Sequence, residues 1–138
     1  MRKFLIAFGL IWIFIWSAFG LFLGVMKHDE WLANMQAAAA GSDLPQFLQS
    51  MTWWKGLTGT HTHALCFSFL MILVALIMPE MKYSEKLKKT IGILLTSGVV
   101  INGIFGFIGI QLLIGLGAVL ILVSVLMSFI GIIQNVNN

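Results

Sequence analysis

Residues 90–133 have the sequence TIGILLTSGVVINGIFGFIGIQLLIGLGAVLILVSVLMSFIGII and contain no Asp, Glu, Lys or Arg. A hydrocarbon core about 30 Å thick is crossed by roughly 20 apolar helical residues, each of which rises about 1.5 Å. One straight helix over this stretch would be about twice as long as the bilayer is thick, so the chain must fold back within it. Gly106 and Gly109 are the natural break, because glycine adopts the positive φ angles of a tight reversal. The stretch therefore predicts two antiparallel spans, residues 90–107 and 110–133.

Two further apolar runs, residues 4–26 and 61–78, raise the predicted number of spans to four. The composition agrees, because the 138 residues are 59% hydrophobic and only 9% charged, whereas roughly a quarter of the residues in a soluble domain are charged. The first run follows Arg2 and Lys3, as in a signal peptide, but it is too long for such a core and has no clear cleavage site. We therefore predict one transmembrane domain over residues 1–138, an all-α integral membrane four-helix bundle.

Residues 27–60 form the one long connection, which we place on the external side of the membrane. Its first half favours helix, and its second half has apolar residues at helical spacing after Pro45. We expect two short helices in the membrane interface, joined at Gly41 and Ser42. Tryptophan side chains suit headgroup depth, and the connection contains Trp31, Trp53 and Trp54.

The distribution of basic residues predicts the orientation. Two lie in the connection 27–60, namely Lys27 and Lys55, and six lie at the N-terminus or between spans two and three: Arg2, Lys3, Lys82, Lys86, Lys88 and Lys89. Cytoplasmic loops carry the excess of Lys and Arg, so both termini are predicted to be cytoplasmic and the protein to reside in the inner (cytoplasmic) membrane. The pI of about 9.3 then indicates contact with anionic lipid headgroups of the bilayer, with no nucleic-acid partner.

The strongly polar residues of the spans gather near the external face in this topology. His28 ends span one, and His61 and His63 begin span two, so all three histidines of the chain share that face. Asn102 and Gln111 flank the predicted reversal and fall in the same third of the membrane. Such an asymmetry is what a functional site near one face would produce.

The spacing of the histidines bears on which cofactor they could bind. On a regular helix residues i and i+2 point about 200° apart, so His61 and His63 cannot both chelate one small ion. Copper or zinc would need one of them together with His28, and with Asp29 or Glu30 as a further ligand. A haem needs one or two axial ligands and an apolar slot, which four Phe-, Leu- and Gly-rich helices can offer. The polar residues near the external face, namely Asn102, Gln111, Trp53 and Trp54, would then receive the haem propionates.

The stretch that begins at His61, HTHALCFSFLM, resembles a motif of haem proteins. It is similar to the H-x-(H/N)-x-(L/V)-x-F/G pattern that opens the haem-ligating second helix in catalytic subunits of haem-copper oxidases and nitric oxide reductases. It also resembles small four-helix bacterial membrane proteins that share an HTH(A/L)L stretch. The match covers about a third of the chain. The resemblance implies that His61 is an axial haem ligand, and a second ligand would come from His28, from His63 of another subunit, or from a group other than histidine.

The leading functional hypothesis is therefore a b-type haem protein that acts in electron transfer, gas sensing or haem handling. The alternatives are a copper or zinc site at His28, His61 and His63, and a structural or accessory subunit of a larger membrane complex. A homodimer is expected, for which the GxxxG pair Gly20 and Gly24 offers a contact. The later spans contain no ionisable residue for a transporter, and no nucleophile-base pair indicates hydrolysis.

Overall fold

The computed structural model describes residues 1–136 as a series of helices, with no strand among them. They are α1 (Arg2–Phe22), a π-helical segment (Leu23–Lys27), α2 (His28–Ala40), α3 (Leu44–Ile77), a 3₁₀ turn (Met78–Glu80), α4 (Glu85–Ile108) and α5 (Gln111–Val136). Four helical stretches are long and apolar enough to cross a membrane: Arg2–Ala40, Leu44–Glu80, Glu85–Ile108 and Gln111–Asn135. The predicted all-α class is confirmed, and so is the prediction of four long apolar stretches that could each cross a membrane.

The helix ends follow local sequence signals. Asp43 accepts a hydrogen bond from the backbone N–H of Gln46 and so caps α3, which has Pro45 in its first turn. Ser84 caps α4 in the same way through the N–H of Leu87. Gly109 ends α4 with φ of 81°, the only positive φ among the described glycines. The predicted reversal is therefore confirmed, and Gly109 makes it while Gly106 stays inside α4.

The two short separate helices expected in the connection 27–60 are not what the structure shows. α2 continues directly from α1 through the π-helical segment, and α3 begins at Leu44 and runs without a break through residues 61–77. The predicted joint at Gly41 and Ser42 is present, and Ser42 adopts a positive φ of 55° there. Residues 28–60 thus form a hairpin in which each arm is an extension of a long apolar helix. The α2 arm, 13 residues long, extends about 20 Å at 1.5 Å per residue.

The long helices pack in the spatial order α1, α3, α4, α5, and α4 and α5 make the most extensive contact. Their core is apolar, and its fully buried side chains include Leu5, Met71, Ile91, Leu95 and Val99. Met1 packs against Gly92 at one end of the molecule, where α1 and α4 both begin. The hairpin and the Gly109 turn lie at the opposite end, which we call the hairpin end.

Close approach of α4 and α5 depends on two small residues. A Cβ built on Gly98 would lie 2.8 Å from the carbonyl oxygen of Gly117, and one built on Gly117 would lie 2.9 Å from the backbone N of Asn102. Any larger side chain would force the two backbones apart. This contact aligns Asn102 with the first turn of α5 and so helps to build the site described next.

Candidate functional site

A cleft of about 430 Å³ opens at the hairpin end between α3, α4 and α5. We call it the α3–α4–α5 cleft. Its polar lining comes from all three helices and consists of Thr52, Lys55, Thr60, His63, Asn102 and Gln111. The cleft is the one place in residues 1–136 where side chains that the sequence analysis had selected from three different helices meet. These are His63, Asn102 and Gln111.

Glycines form much of the remaining wall. Gly56 and Gly59 of α3 and Gly109 of the turn line the cleft, and a Cβ built on any of them would meet nothing within 4 Å. Gly106, the fourth, is covered by Thr60, whose Oγ1 would lie 2.9 Å from such a Cβ. The wall therefore presents bare backbone and open space, which lets a flat ligand approach α3 closely.

Asn102 is the most deeply placed polar group of the cleft. The residue is 6% exposed, and its Nδ2 donates a hydrogen bond to the carbonyl oxygen of Ile114, 3.3 Å away on α5. This bond decides which way the amide points, because the opposite arrangement would bring two oxygens together. The carboxamide oxygen has no hydrogen-bond partner among the described residues. It is also absent from their fully buried polar atoms that lack a partner, so it is partly accessible. It therefore remains open to a donor that enters the cleft.

His63 and Lys55 provide the ionisable groups of the cleft. The His63 ring is exposed and stacks on Phe67, with ring centroids 5.9 Å apart and planes 15° from parallel. Lys55 has no acidic partner in the described part of the chain, whereas Lys27 pairs with Glu30 at 2.7 Å. The cleft thus combines one accessible imidazole with one unpaired cation.

His61, which the sequence analysis had placed in the same site, points to the opposite side of α3. Its ring lies against Gly20 of α1, where a Cβ would stand 2.9 Å from His61 Nδ1. That nitrogen is buried and has no hydrogen-bond partner within residues 1–136, and the same is true of Nε1 in Trp12 and in Trp16. His61 and His63 therefore point to different sides of α3, as their spacing of two residues on a helix predicted. His61 does not line the cleft.

His28, Trp53 and Trp54 lie in the hairpin, outside the cleft. The His28 ring has its centroid 5.8 Å from those of Trp31 and Trp54, and these two indoles stack with centroids 4.8 Å apart. Trp31 Nε1 donates to the carbonyl oxygen of Ser50, 3.1 Å away, which ties α2 to α3. Trp53 borders a separate depression next to Lys27. The contacts of His28, Trp31 and Trp54 hold the hairpin together. Neither His28 nor Trp53 nor Trp54 lines the cleft.

The three histidines therefore occupy three environments. Within residues 1–136 no group of three or more His, Cys, Asp or Glu side chains could hold a metal ion. The alternative of a copper or zinc site at His28, His61 and His63 gains no support from this arrangement.

Several residues of the cleft were not selected from the sequence, namely Thr52, Lys55, Gly56, Gly59, Thr60 and Ile114. Lys55, Gly59 and His63 follow each other at intervals of four residues, which places them on one face of a helix. That spacing would have revealed the site had residues 44–60 been recognised as part of the same helix as His63. Because residues 44–60 were expected to form a separate short helix, this shared face was not recognised.

No protein-family model matches this chain, and no curated protein and no solved structure is significantly similar to it.

Proposed function

We propose that this protein is a membrane-embedded b-type haem protein that holds its cofactor in the α3–α4–α5 cleft, with His63 as the axial ligand. The observation that carries the proposal is the meeting of His63, Asn102 and Gln111 in one glycine-walled cleft. In the proposed topology both termini are cytoplasmic, and the four long helices form a bundle in the inner membrane. The cleft then lies near the external face, with the hairpin above it.

The polar groups of the lining suit the two carboxylates of a haem. The open backbone at Gly56 and Gly59 can face one side of the ring system, and Phe67 supports the imidazole from behind. Lys55 and Gln111 lie where carboxylates could reach charge or a hydrogen-bond donor. The volume of about 430 Å³ is within the range of small-molecule and cofactor sites, roughly 300–1,000 Å³.

The proposal differs from the sequence hypothesis in the choice of ligand. Resemblance to the oxidase motif implied His61, but its imidazole is packed against Gly20 and does not line the cleft. His63 lies two residues further on, faces the cleft and is accessible. We therefore assign the axial position to His63 and a packing role to His61.

A bound haem would supply one-electron transfer or an iron site for a small gas. The chain would contribute a neutral imidazole nitrogen at His63 and a hydrogen-bond acceptor at Asn102.

The test is purification from haem-replete cells followed by absorption spectroscopy of wild type, His63→Ala and His61→Ala. We expect a Soret band in wild type and in His61→Ala and its loss in His63→Ala. Adding imidazole to His63→Gly should restore the band by replacing the lost ligand. Circular dichroism confirms that each variant is still helical.

Three results would overturn the proposal. They are a wild-type protein without a Soret band, a band that survives in His63→Ala, and copper or zinc without porphyrin in elemental analysis. Constant co-purification of a larger membrane complex, with both variants harmless, would instead support the accessory-subunit alternative.

A further inference from the structure

We infer that the base of the hairpin binds a phospholipid whose headgroup carries a phosphate and a primary ammonium, as in phosphatidylethanolamine. The headgroup occupies the depression between α2 and α3 that Trp53 borders, and one acyl chain occupies an apolar groove between α1 and α4. The site is separate from the α3–α4–α5 cleft, and it does not depend on the proposed haem.

The depression combines a pair of opposite charges with aromatic surface. It has a volume of about 220 Å³ and is lined by Lys27, Glu30, Trp31, Asn34 and Trp53. Lys27 Nζ donates to Glu30 Oε2 at 2.7 Å, and the two side chains are still 38% and 60% exposed. A headgroup with one negative and one positive charge can therefore lie along this pair, with its phosphate next to Lys27 and its ammonium next to Glu30.

The acceptors of the depression favour one kind of zwitterionic headgroup. Glu30 and Asn34 are four residues apart in α2, so their side chains lie on one face of the helix. The carboxylate of Glu30 and the carboxamide oxygen of Asn34 both accept hydrogen bonds. A primary ammonium can donate to both, whereas a trimethylated ammonium has no N–H to donate. The half-exposed ring of Trp53 offers the cation an aromatic face as well.

The depression also lies at a suitable depth. Residues 4–26 contain no charged side chain, and Lys27 is the first charge after Lys3. With α1 in the membrane, Lys27 marks the boundary between hydrocarbon and water, and this depth suits the indole of Trp53. Phospholipid headgroups occupy the same layer.

An apolar groove of about 320 Å³ runs between α1 and the last turns of α4. Ile15 and Phe19 of α1 face Ile104 and Phe107 of α4 across it. Trp16 lines the groove too, but its Nε1 is buried and offers no donor to an occupant. An occupant can make only apolar contacts in the groove, as a hydrocarbon chain does.

The groove and the depression lie on the same side of the molecule. Trp53 shares a face of α3 with Thr60, which is seven residues later and lies against Gly106 of α4. The depression is therefore beyond the end of α4 that lines the groove. Phe19 and Lys27 are eight residues apart, or about 12 Å along the helix axis, so one phospholipid can reach both.

The charge of the depression distinguishes this lipid from the anionic lipids expected at the other end of the molecule. Six of the eight basic residues lie where α1 and α4 begin, and they attract anionic headgroups there. In the depression the charge of Lys27 is offset by Glu30. An anionic headgroup would be repelled by that carboxylate, whereas a zwitterionic one contacts both charges favourably.

The headgroup is tested by native mass spectrometry of the full chain in detergent with an equimolar mixture of dioleoyl phosphatidylethanolamine, phosphatidylcholine and phosphatidylglycerol. We expect one phosphatidylethanolamine per chain, with about tenfold higher affinity than either competitor, because a hydrogen bond to a charged group changes affinity by about that factor. Glu30→Gln should remove the preference over phosphatidylcholine. Asp29→Asn is the matched control, since Asp29 is the preceding carboxylate and does not line the depression.

The groove is tested by filling it. Ile104→Trp should weaken the binding of phosphatidylethanolamine. Ile93→Trp is the matched control, because Ile93 lies three turns earlier on the same face of α4, is also exposed and does not line the groove. Circular dichroism checks that each variant is still helical.

Equal binding of the three lipids would show ordinary surrounding lipid only and would overturn the inference. A preference for phosphatidylglycerol would do the same, as would equal binding of phosphatidylethanolamine by Glu30→Gln and Asp29→Asn, or by Ile104→Trp and Ile93→Trp. Haem plays no part in these measurements, so a chain that binds no haem would defeat the proposed function and leave this inference standing.

Discussion

The imidazole of His61 occupies the notch that Gly20 leaves in α1. A Cβ built on Gly20 would lie 2.9 Å from His61 Nδ1 and closer still to other ring atoms. Gly20 is thereby covered within the chain, whereas Gly24 has nothing within 4 Å of the same construction. The pair that suggested a dimer contact through α1 thus has one member already used for internal packing.

Replacing Gly20 by alanine should destabilise the packing of α1 on α3. The added methyl group overlaps the His61 ring, and overpacking of this kind costs about 1–3 kcal/mol. The measurement is the free energy of unfolding in mixed detergent micelles, followed by circular dichroism. Gly24→Ala is the control and should be within about 0.5 kcal/mol of wild type, as for a substitution away from any packed feature. Similar losses of stability in Gly20→Ala and Gly24→Ala would contradict the close packing of His61 against Gly20.

Replacing Asn102 by leucine should loosen the contact between α4 and α5. The change removes the hydrogen bond to the carbonyl oxygen of Ile114, and side-chain hydrogen bonds between membrane helices contribute about 0.6 kcal/mol on average. It also removes the acceptor in the cleft, so we expect weaker haem binding together with the small loss of stability. Haem titration and unfolding of the same variant measure both. Normal haem affinity in Asn102→Leu would show that the residue only supports packing.

Replacing Trp31 by alanine should open the hairpin without unfolding the spans. The indole both stacks on Trp54 and donates to the carbonyl oxygen of Ser50, and an aromatic pair alone contributes about 0.5–1.5 kcal/mol beyond its buried area. We expect faster hydrogen exchange confined to residues 28–60, because local openings follow local contacts. Trp53→Ala is the control, since Trp53 is 51% exposed and donates no hydrogen bond to a described residue. Faster exchange throughout α4 and α5 would argue against a hairpin that opens by itself.

The orientation can be tested with single cysteines. Cys66 is the only native cysteine and is exposed on α3, so Cys66→Ala provides the background. A membrane-impermeant maleimide added to intact cells should label Ser42→Cys in the hairpin turn. The reagent should reach Lys86→Cys, at the start of α4, only after lysis. Labelling of Lys86→Cys in intact cells would show that the orientation predicted from the basic residues is wrong.

Much of the fold was predictable because it follows from local properties of the chain. The lengths of the apolar runs and the glycine that reverses residues 90–133 are visible without any tertiary contact. The continuity of α3 was not predicted, because residues 44–60 were expected to form a short helix separate from the span that begins at His61. Pro45 does occupy the first turn of a helix, as predicted, and its missing N–H costs nothing there. Gly56 and Gly59 stay helical inside α3.

The candidate site was predictable in part for the same reason. His63, Asn102 and Gln111 were selected from their depth along the spans, and depth is a property of sequence position. Which way each side chain faces depends on how the helices are rotated against one another. As the helices are rotated in this structure, His61 faces α1, His63 faces the cleft beside α4 and α5, and Lys55 also lines the cleft.

The amino-acid sequence by itself determined an all-helical chain with four long apolar helices and a reversal at Gly109, since hydrophobic length and glycine conformation act locally. Only the tertiary structure decided that α1 and α2 are continuous, that α3 extends from Leu44, and that the three histidines have different neighbours. The physical reason is that apolar side chains can face lipid or protein at similar cost, so hydropathy leaves helix rotation open. Close contacts at Gly20, Gly98 and Gly117 set that rotation, and they exist only once the helices have met.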